Sequence, residues 1–169
     1  VLAPHLEKAI IVGVILSLGL FLYRTMRPRF AELSLHADGP SRDAERNNLE
    51  CSPDLSVLRF DGSLYFANAG YFESQVLENV ASKPNIRYVI LDLEGINQID
   101  ATGEDVIRKL HERLKAGGVE MLLTRVKGQA MRIFKRSGLR QEFGDEAFFR
   151  TRTAAIEYAR AQLDEGALT

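Results

Sequence analysis

The stretch VILDLEGINQIDATGEDVIRKL, residues 89–110, joins a strand pattern, a polar turn and a helix pattern without a break. Its first part is a continuous apolar run, typical of a central strand covered on both faces. Its last part places Val106, Ile107 and Leu110 on one helical face, and Gly117 ends the helix. The order strand, turn, helix predicts an α/β unit with its turn at the carboxyl end of a strand.

The chain from residue 55 onward repeats this alternation. Val57–Phe60 and Leu64–Phe66 are predicted as two short strands joined by a hairpin turn at Asp61-Gly62. Further segments follow in order: a helix in NAGYFESQVLENVAS (68–82), a strand in VEMLLT (119–124), and helices in QAMRIFKRS (129–137) and TAAIEYARAQL (153–163). The short loops predict a mixed, mostly parallel sheet flanked by helices and opened by one antiparallel hairpin.

The polar turn has a structural interpretation and a functional one. Thr102 lies where a helix N-cap is expected, and Asp105, three residues on, completes a capping box. The Thr102 hydroxyl would then accept a backbone N–H bond, a contribution of about 1 kcal/mol. The same hydroxyl is a reasonable phosphoacceptor, because phosphate would add about two negative charges at a surface turn.

Four carboxylates argue against phosphate binding by the unmodified turn. Glu94, Asp100, Glu104 and Asp105 crowd one end of the helix, and we expect no nearby cation to offset them. Carboxylates in a first helical turn also favour the helix dipole without any catalytic role. We therefore expect no catalytic residue here and no nucleotide-binding loop, since no G-x-x-x-x-G-K-[ST] pattern occurs.

Composition excludes several other classes of function. A formal net charge of -1 over 169 residues gives no pull toward nucleic acid. Cys51 has no second cysteine to pair with, and His5, His36 and His111 lack metal-ligand spacing. We expect no metal site and no cofactor, and we interpret Cys51 as a free surface thiol.

Residues 9–23, AIIVGVILSLGLFLY, form an uninterrupted apolar run. As a helix this run alone would span roughly 22 Å, short of a ~30 Å hydrocarbon core unless residues before it extend the helix. Arg24, Arg27 and Arg29 follow directly, and the positive-inside tendency places everything after residue 24 in the cytoplasm. This predicts a transmembrane helix in the cell (inner) membrane.

Two alternatives to a transmembrane helix stay open. A signal peptide would have a basic start and a small-residue cleavage site, which are missing here. A helix buried in a soluble core also fits the marginal length. Small residues at four-residue spacing, Ala9, Gly13 and Ser17, would let a second membrane helix approach closely.

Three regions are predicted. Residues 1–30 form the C-terminal end of a membrane domain, and the start at Val1 instead of methionine hints at a longer protein. Residues 31–54, rich in Gly, Pro, Ser, Asn and mixed charges, form a mobile linker because they offer little apolar surface to bury. Residues 55–165 form the folded cytoplasmic domain.

Residues 55–165 resemble a STAS domain, the module shared by anti-sigma-factor antagonists and the cytoplasmic tails of SulP anion transporters. NQIDATG (97–103) resembles the D-S/A-S/T-G loop that follows a strand like YVILDL. VLRFDGSLYFANAGYFE (57–73) is similar to the SulP branch, and AIIVGVILSLGLFLYRTMRP (9–28) resembles the last membrane helix of such a transporter. In the antagonist branch, a serine just before the loop glycine is phosphorylated, and Thr102 is the matching position.

The resemblance implies a regulatory, non-enzymatic domain of a transporter of sulfate or a related anion such as bicarbonate. The expected partners are the membrane domain of the same transporter, a second copy of the chain, or a cytoplasmic regulatory protein. The candidate partner-binding loop is Asp100, Ala101, Thr102, Gly103, Glu104 and Asp105. The second hypothesis is a stand-alone, membrane-tethered antagonist switched by phosphorylation of Thr102, and an enzyme is the third and weakest.

Overall fold

A computed structural model describes residues 3–33 and 52–166 of the chain. The helices, in chain order, are α1 (Ala3–Met26), α2 (Ala69–Ala81), α3 (Ala101–Ala116), α4 (Gly128–Ser137), α5 (Leu139–Phe143) and α6 (Arg152–Gly166). The strands are β1 (Arg29–Glu32), β2 (Leu55–Asp61), β3 (Tyr88–Asp92), β4 (Glu120–Thr124) and β5 (Phe148–Phe149). Short 3₁₀ turns cover Leu93–Gly95 and Asp145–Ala147.

The five strands form one sheet in the order β1-β2-β3-β4-β5. β1 is antiparallel to β2, and the remaining neighbours are parallel. The carboxyl ends of β2, β3 and β4 therefore lie along one edge of the sheet, called the carboxyl edge below. The α/β, mostly parallel and STAS-like fold predicted from the sequence is confirmed.

The predicted hairpin is wrong. Leu64–Phe66 is not a strand, and Leu64 makes only an isolated parallel bridge to Ile99. The antiparallel neighbour of β2 is instead β1, which pairs Phe30 with Phe60. The Asp61-Gly62 turn signal is real, but it leads into a loop whose backbone bonds are made with the segment before α3.

β1 also moves the start of the sheet upstream of the predicted boundary at residue 55. Phe30 is partly buried, and its ring lies 6.5 Å from that of Phe72, which in turn meets Phe60 edge-to-face at 5.2 Å. Such aromatic pairs add to the energy of burial alone. The first residues assigned to the linker thus belong to the folded core. Residues 34–51 of that linker, with Cys51, lie outside the described residues, and residues 52–54 lead directly into β2.

α1 is long enough to cross a bilayer. Its 24 residues would extend about 36 Å, and the apolar part, Leu6–Met26, is exposed along its whole length. The stripe of Ala9, Gly13 and Ser17 lies on this exposed helix. Within the described residues, α1 is therefore not buried in the core of the STAS-like domain, and its apolar surface is large enough to mark a contact with a membrane or with another protein segment.

The core lies between the sheet and the helices. α2 and α3 pack on each other, and α6 packs on β3, β4 and β5. β3 is buried at every position, as its continuous apolar pattern predicts. The largest fully buried side chains include Phe60, Phe72 and Phe134.

Candidate partner-binding surface

Asp100, and not Thr102, caps helix α3. Asp100 has extended backbone angles, and its Oδ1 accepts a hydrogen bond from the Gly103 N–H at 2.8 Å. α3 therefore begins at Ala101, and the predicted capping box at Thr102 is wrong. Aspartate is as good an N-cap as threonine, so the local pattern allowed two registers one half-turn apart.

The second carboxylate oxygen of Asp100 binds a different loop. Its Oδ2 accepts from the Phe66 N–H at 3.0 Å, and the Asp100 N–H donates to the Leu64 carbonyl at 3.1 Å. Asn68 closes the same loop, because its side chain accepts from the Tyr65 N–H and donates to the Ser63 carbonyl. One aspartate thus joins the α3 N-terminus to the 63–68 loop.

Gly103 lies against that loop. A Cβ atom at position 103 would lie 2.6 Å from the carbonyl oxygen of Leu64 and 2.9 Å from its Cγ. Only glycine leaves room for this approach. The loop glycine of the NQIDATG motif is therefore a packing requirement between α3 and the 63–68 loop.

Phe66 is exposed at the tip of this fixed loop, with 74% of its surface accessible. In the part of the chain that the structure describes, the other exposed large hydrophobic side chains all belong to α1. Ala101 and Thr102 are exposed on the neighbouring turn. We call Phe66, Ala101 and Thr102 the turn surface.

The predicted loop residues divide into supporting and presented groups. Asp100 and Gly103 hold the turn, whereas Ala101 and Thr102 are presented to solvent. Thr102 makes no side-chain hydrogen bond within residues 3–33 and 52–166. Phe66 was missed as a site residue because its LYFAN segment was interpreted as a strand, in which alternate residues are buried.

The carboxylates of the turn are compensated, contrary to the sequence-based expectation. Glu104 pairs with Arg108 at 2.5 Å, and Arg108 also binds Glu142 of α5. Asp105 pairs with Lys109 at 2.6 Å, a contact that raises the pKa of Lys109. Both pairs have i,i+4 spacing on α3, so this part of the compensation could have been found from the helix pattern.

A second ionic cluster lies farther along the carboxyl edge. The fully buried carboxylate of Asp92 accepts from Arg125 Nε at 3.0 Å and lies 3.7 Å from Arg152 Nε. Glu94 pairs with Arg125 and lies 3.6 Å from Arg59. Burial, followed by the neighbouring Arg125 charge, lowers the pKa of Arg152.

This cluster was invisible in the sequence. Its arginines come from β2, from the residue after β4 and from the start of α6, and the sheet brings them together with Asp92 and Glu94. Arg125 directly follows β4, and the carboxyl ends of neighbouring parallel strands meet at one edge of a sheet. This rule could have predicted that Arg125 lies near Asp92. Its backbone φ of 53° is unusual for a non-glycine residue.

The start of α3 offers no free N–H at Gly103 for an anion. The Gly103 N–H, which an anion at the helix N-terminus would use, is already bound by Asp100. Within the described ranges, no group of three or more His, Cys, Asp and Glu side chains could hold a metal ion. Phe66, Ala101 and Thr102 remain exposed on this turn.

The comparisons with known proteins identify the family. The STAS domain family model matches residues 46–155. The chain belongs to the STAS domain family, and the resemblance stated from the sequence is confirmed.

Curated relatives share more than the STAS segment. High affinity sulfate transporter 2 of Stylosanthes hamata is 22% identical over 170 residues, covering 92% of this chain and 25% of the transporter. Solute carrier family 26 member 10 of Mus musculus is 28% identical over 176 residues, covering 96% of this chain and 25% of that protein. The chain spans about a quarter of the length of these relatives, and the matches take in most of α1 as well as the sheet.

Solved structures share the fold. The murine anion transporter Slc26a9 in its inward-facing state has a TM-score of 0.77 at 21% identity, covering 91% of this chain and 26% of that one. An anti-sigma factor antagonist from Mycobacterium paratuberculosis has a TM-score of 0.57 at 16% identity, covering 78% of this chain and 95% of that one. Both branches named from the sequence therefore have the same architecture.

Proposed function

We propose that this chain is the cytoplasmic regulatory and protein-interaction domain of a SulP-type secondary transporter of sulfate or a related anion such as bicarbonate, together with the transporter's last membrane helix. The observation that carries the proposal is the direct continuation of α1 into the STAS sheet. Arg27 and Pro28 alone separate α1 from β1. The similarity to sulfate transporters extends over both parts.

The charges at the end of α1 support a cytoplasmic domain. Arg24 lies in the last turn of the helix, and Arg27 and Arg29 follow it. Arginines beside a membrane helix favour the cytoplasmic side, which in a bacterium is that of the inner membrane. Arg27 lies over the Tyr23 ring, 5.1 Å from its centre, and an aromatic ring at this position suits the membrane interface.

In this proposal the domain regulates transport and catalyses no reaction. The membrane domain of the same transporter is the principal partner, and a second copy or a soluble cytoplasmic protein are the alternatives. The turn before α3 supports this role, since Ala101 and Thr102 are exposed there and Asp100 fixes the turn through two backbone N–H groups. A surface that is fixed before binding loses little conformational freedom on contact.

The test is anion uptake by cells that carry the complete gene. Three genes are compared: the natural one, one truncated after residue 33, and one with Thr102→Arg. We expect truncation and Thr102→Arg to change the rate of sulfate or bicarbonate uptake at equal protein levels. Asn85→Arg, an exposed change before β3 at the opposite edge of the sheet, is the matched control.

An immunoblot of the same membranes tests the parent protein directly. An antibody against residues 55–165 should detect a band several times heavier than 18.9 kDa. A band near 18.9 kDa would contradict the transporter proposal. Uptake that is identical in all variants would contradict the regulatory role.

Phosphorylation of Thr102 in a membrane-tethered switch is the second candidate. Its support is the exposure of the Thr102 hydroxyl on the loop that matches the antagonist motif. Phosphate there would add about two negative charges next to Asp105 and change what the turn surface can bind. The test is phosphopeptide analysis from source cells, with Thr102→Ala expected to remove the label and Thr102→Ser to keep it.

A further inference from the structure

We propose that the carboxyl edge of the sheet faces the bilayer, and that Phe66 lies in the interfacial region of the membrane that α1 spans. This inference rests on the proposed transmembrane role of α1. It goes beyond that role, because it assigns a lipid-facing side to the STAS domain and names the side chain that contacts lipid.

α1 joins the domain beside the carboxyl end of β2. β1 begins at Arg29, three residues after the end of α1, and Arg29 is paired with Asp61 at the last position of β2. Pro28 lies against the next residue, since a Cβ at Gly62 would be 2.9 Å from the Pro28 Cβ. The end of α1 and the carboxyl end of β2 are therefore neighbours.

The carboxyl ends of β3 and β4 lie on the same edge as this junction. Because β2, β3 and β4 are parallel and in register, their carboxyl ends share one edge with the end of α1. The turn after β3 is held close to this point, since a Cβ at Gly95 would be 2.3 Å from the Phe60 carbonyl oxygen. The loops that begin at this edge face the side from which α1 arrives.

Phe66 belongs to one of these loops. It follows Gly62 by four residues, and its N–H is bound by Asp100 at the start of α3. The residue is 74% exposed, and the Tyr65 ring, 5.7 Å from the Phe66 ring, does not cover it. Aromatic side chains are enriched at the level of lipid headgroups, where an apolar ring can leave water without entering the acyl core.

Charge does not oppose this placement. The carboxylates nearest the turn surface are paired, Glu104 with Arg108 and Asp105 with Lys109, and Asp100 is bound by two backbone N–H groups. Arg24 and Arg27 lie at the end of α1, where lipid phosphates are found. A lipid surface is thus the occupant favoured by position, by the exposed ring and by charge.

The absence of tryptophan from the sequence permits a direct test. Three single-tryptophan chains of the full 169 residues are placed in phosphatidylcholine nanodiscs: Phe66→Trp at the turn surface, Asn85→Trp at the opposite edge, and Ile15→Trp in the middle of α1. Emission is compared between ordinary lipid and lipid brominated near the headgroup or deep in the acyl chain. Circular dichroism checks that each variant is folded.

We expect shallow bromines to remove on the order of half of the emission at position 66, deep bromines to quench position 15, and neither to affect position 85. Quenching at 15 with position 66 no more quenched than 85 would overturn the inference and leave the membrane helix intact. Equal quenching at 66 and 85 would also overturn it, since the domain would then have no lipid-facing edge. Without quenching at 15, α1 is not in the bilayer, and the proposed function fails together with the inference.

Discussion

Gly103 of α3 lies directly against the backbone of Leu64, so that the start of a helix and a loop after a different strand are in van der Waals contact. The contact leaves no space for a side chain, because a Cβ at position 103 would lie 2.6 Å from the Leu64 carbonyl oxygen. A backbone atom cannot move aside as the end of a flexible side chain can. This contact fixes the spacing of the turn surface.

Gly103→Ala should therefore destabilise the domain by about 1–3 kcal/mol, the usual cost of overpacking. The measurement is amide hydrogen exchange of β3, whose residues report global opening. Gly70→Ala in α2 is the control, because nothing lies within 4 Å of its added Cβ and alanine favours a helix. Equal stability of the two variants would contradict the close packing at Gly103.

The cap of α3 gives a second prediction. Asp100→Ala removes the acceptors of the Gly103 and Phe66 N–H groups and should cost about 1–2 kcal/mol. Thr102→Ala should change stability by less than about 0.5 kcal/mol, as expected for an exposed position. The measurement is thermal unfolding of both variants, followed by near-ultraviolet circular dichroism. A greater loss of stability in Thr102→Ala than in Asp100→Ala would show that Thr102, and not Asp100, caps α3.

The architecture was predictable where one sequence pattern dominated. The continuous run of β3 and the apolar face of α3 with Val106, Ile107 and Leu110 were both confirmed. The predicted hairpin was wrong because the residues before and after Gly62 both have a strand-like pattern. The antiparallel partner of β2 is instead β1, which lies more than twenty residues upstream. Pairing across such a distance depends on tertiary packing, which a local pattern does not contain.

The sequence motif indicates the turn before α3 as the candidate site, but it does not show how that turn is held or which side chains it exposes. In the structure Ala101 and Thr102 are exposed on this turn, and their role in binding a partner stays a prediction. The exposure of Phe66 depends on Asn68 and Asp100, which hold its loop in place. Asp100 is 34 residues further along the chain than Phe66, and a local sequence pattern does not show such a contact. The same holds for Arg125, which reaches Asp92 only through the sheet.

Glu32 in β1 supplies a third prediction about how firmly α1 is joined to the sheet. Its carboxylate accepts from Ser56 at 3.0 Å, from Asn79 at 2.9 Å and from Lys83, and the side chains of Glu32 and Lys83 are only 18% and 12% exposed. Lys83→Met would leave this partly buried carboxylate without its cation. We expect a loss of about 1–3 kcal/mol, concentrated in β1 because this strand lies at the edge of the sheet.

Amide exchange of residues 29–33 measures this local opening. A double-mutant cycle with Glu32→Gln should show coupling between positions 32 and 83, since each single change removes the same pair. Lys109→Met is the matched control, because its pair with Asp105 is exposed and should contribute little. Unchanged exchange in β1 after Lys83→Met would show that the pair with Glu32 does not hold β1, leaving its backbone bonds and its buried apolar side chains.

His111 gives a prediction about pH. Its ring stacks on Phe143 of α5 at 3.9 Å, its Nδ1 is buried without a hydrogen-bond partner among the described residues, and burial, followed by Lys115, lowers its pKa below 6.5. A lowered pKa means that the folded state binds its proton more weakly than the unfolded state. The stabilisation of the fold is therefore complete above pH 6.5 and is lost as pH falls from there through the pKa of the folded state.

His111→Phe keeps an aromatic ring at this position and removes the titration. Between about pH 7.5 and about pH 5, the stability of the natural chain should fall more steeply than that of the variant, because carboxylates that titrate in this range do so in both chains. Urea unfolding followed by near-ultraviolet circular dichroism across this range gives the two slopes. Parallel slopes would mean that His111 binds its proton equally well in the folded and unfolded states, and that the stack on Phe143 tolerates the charged ring.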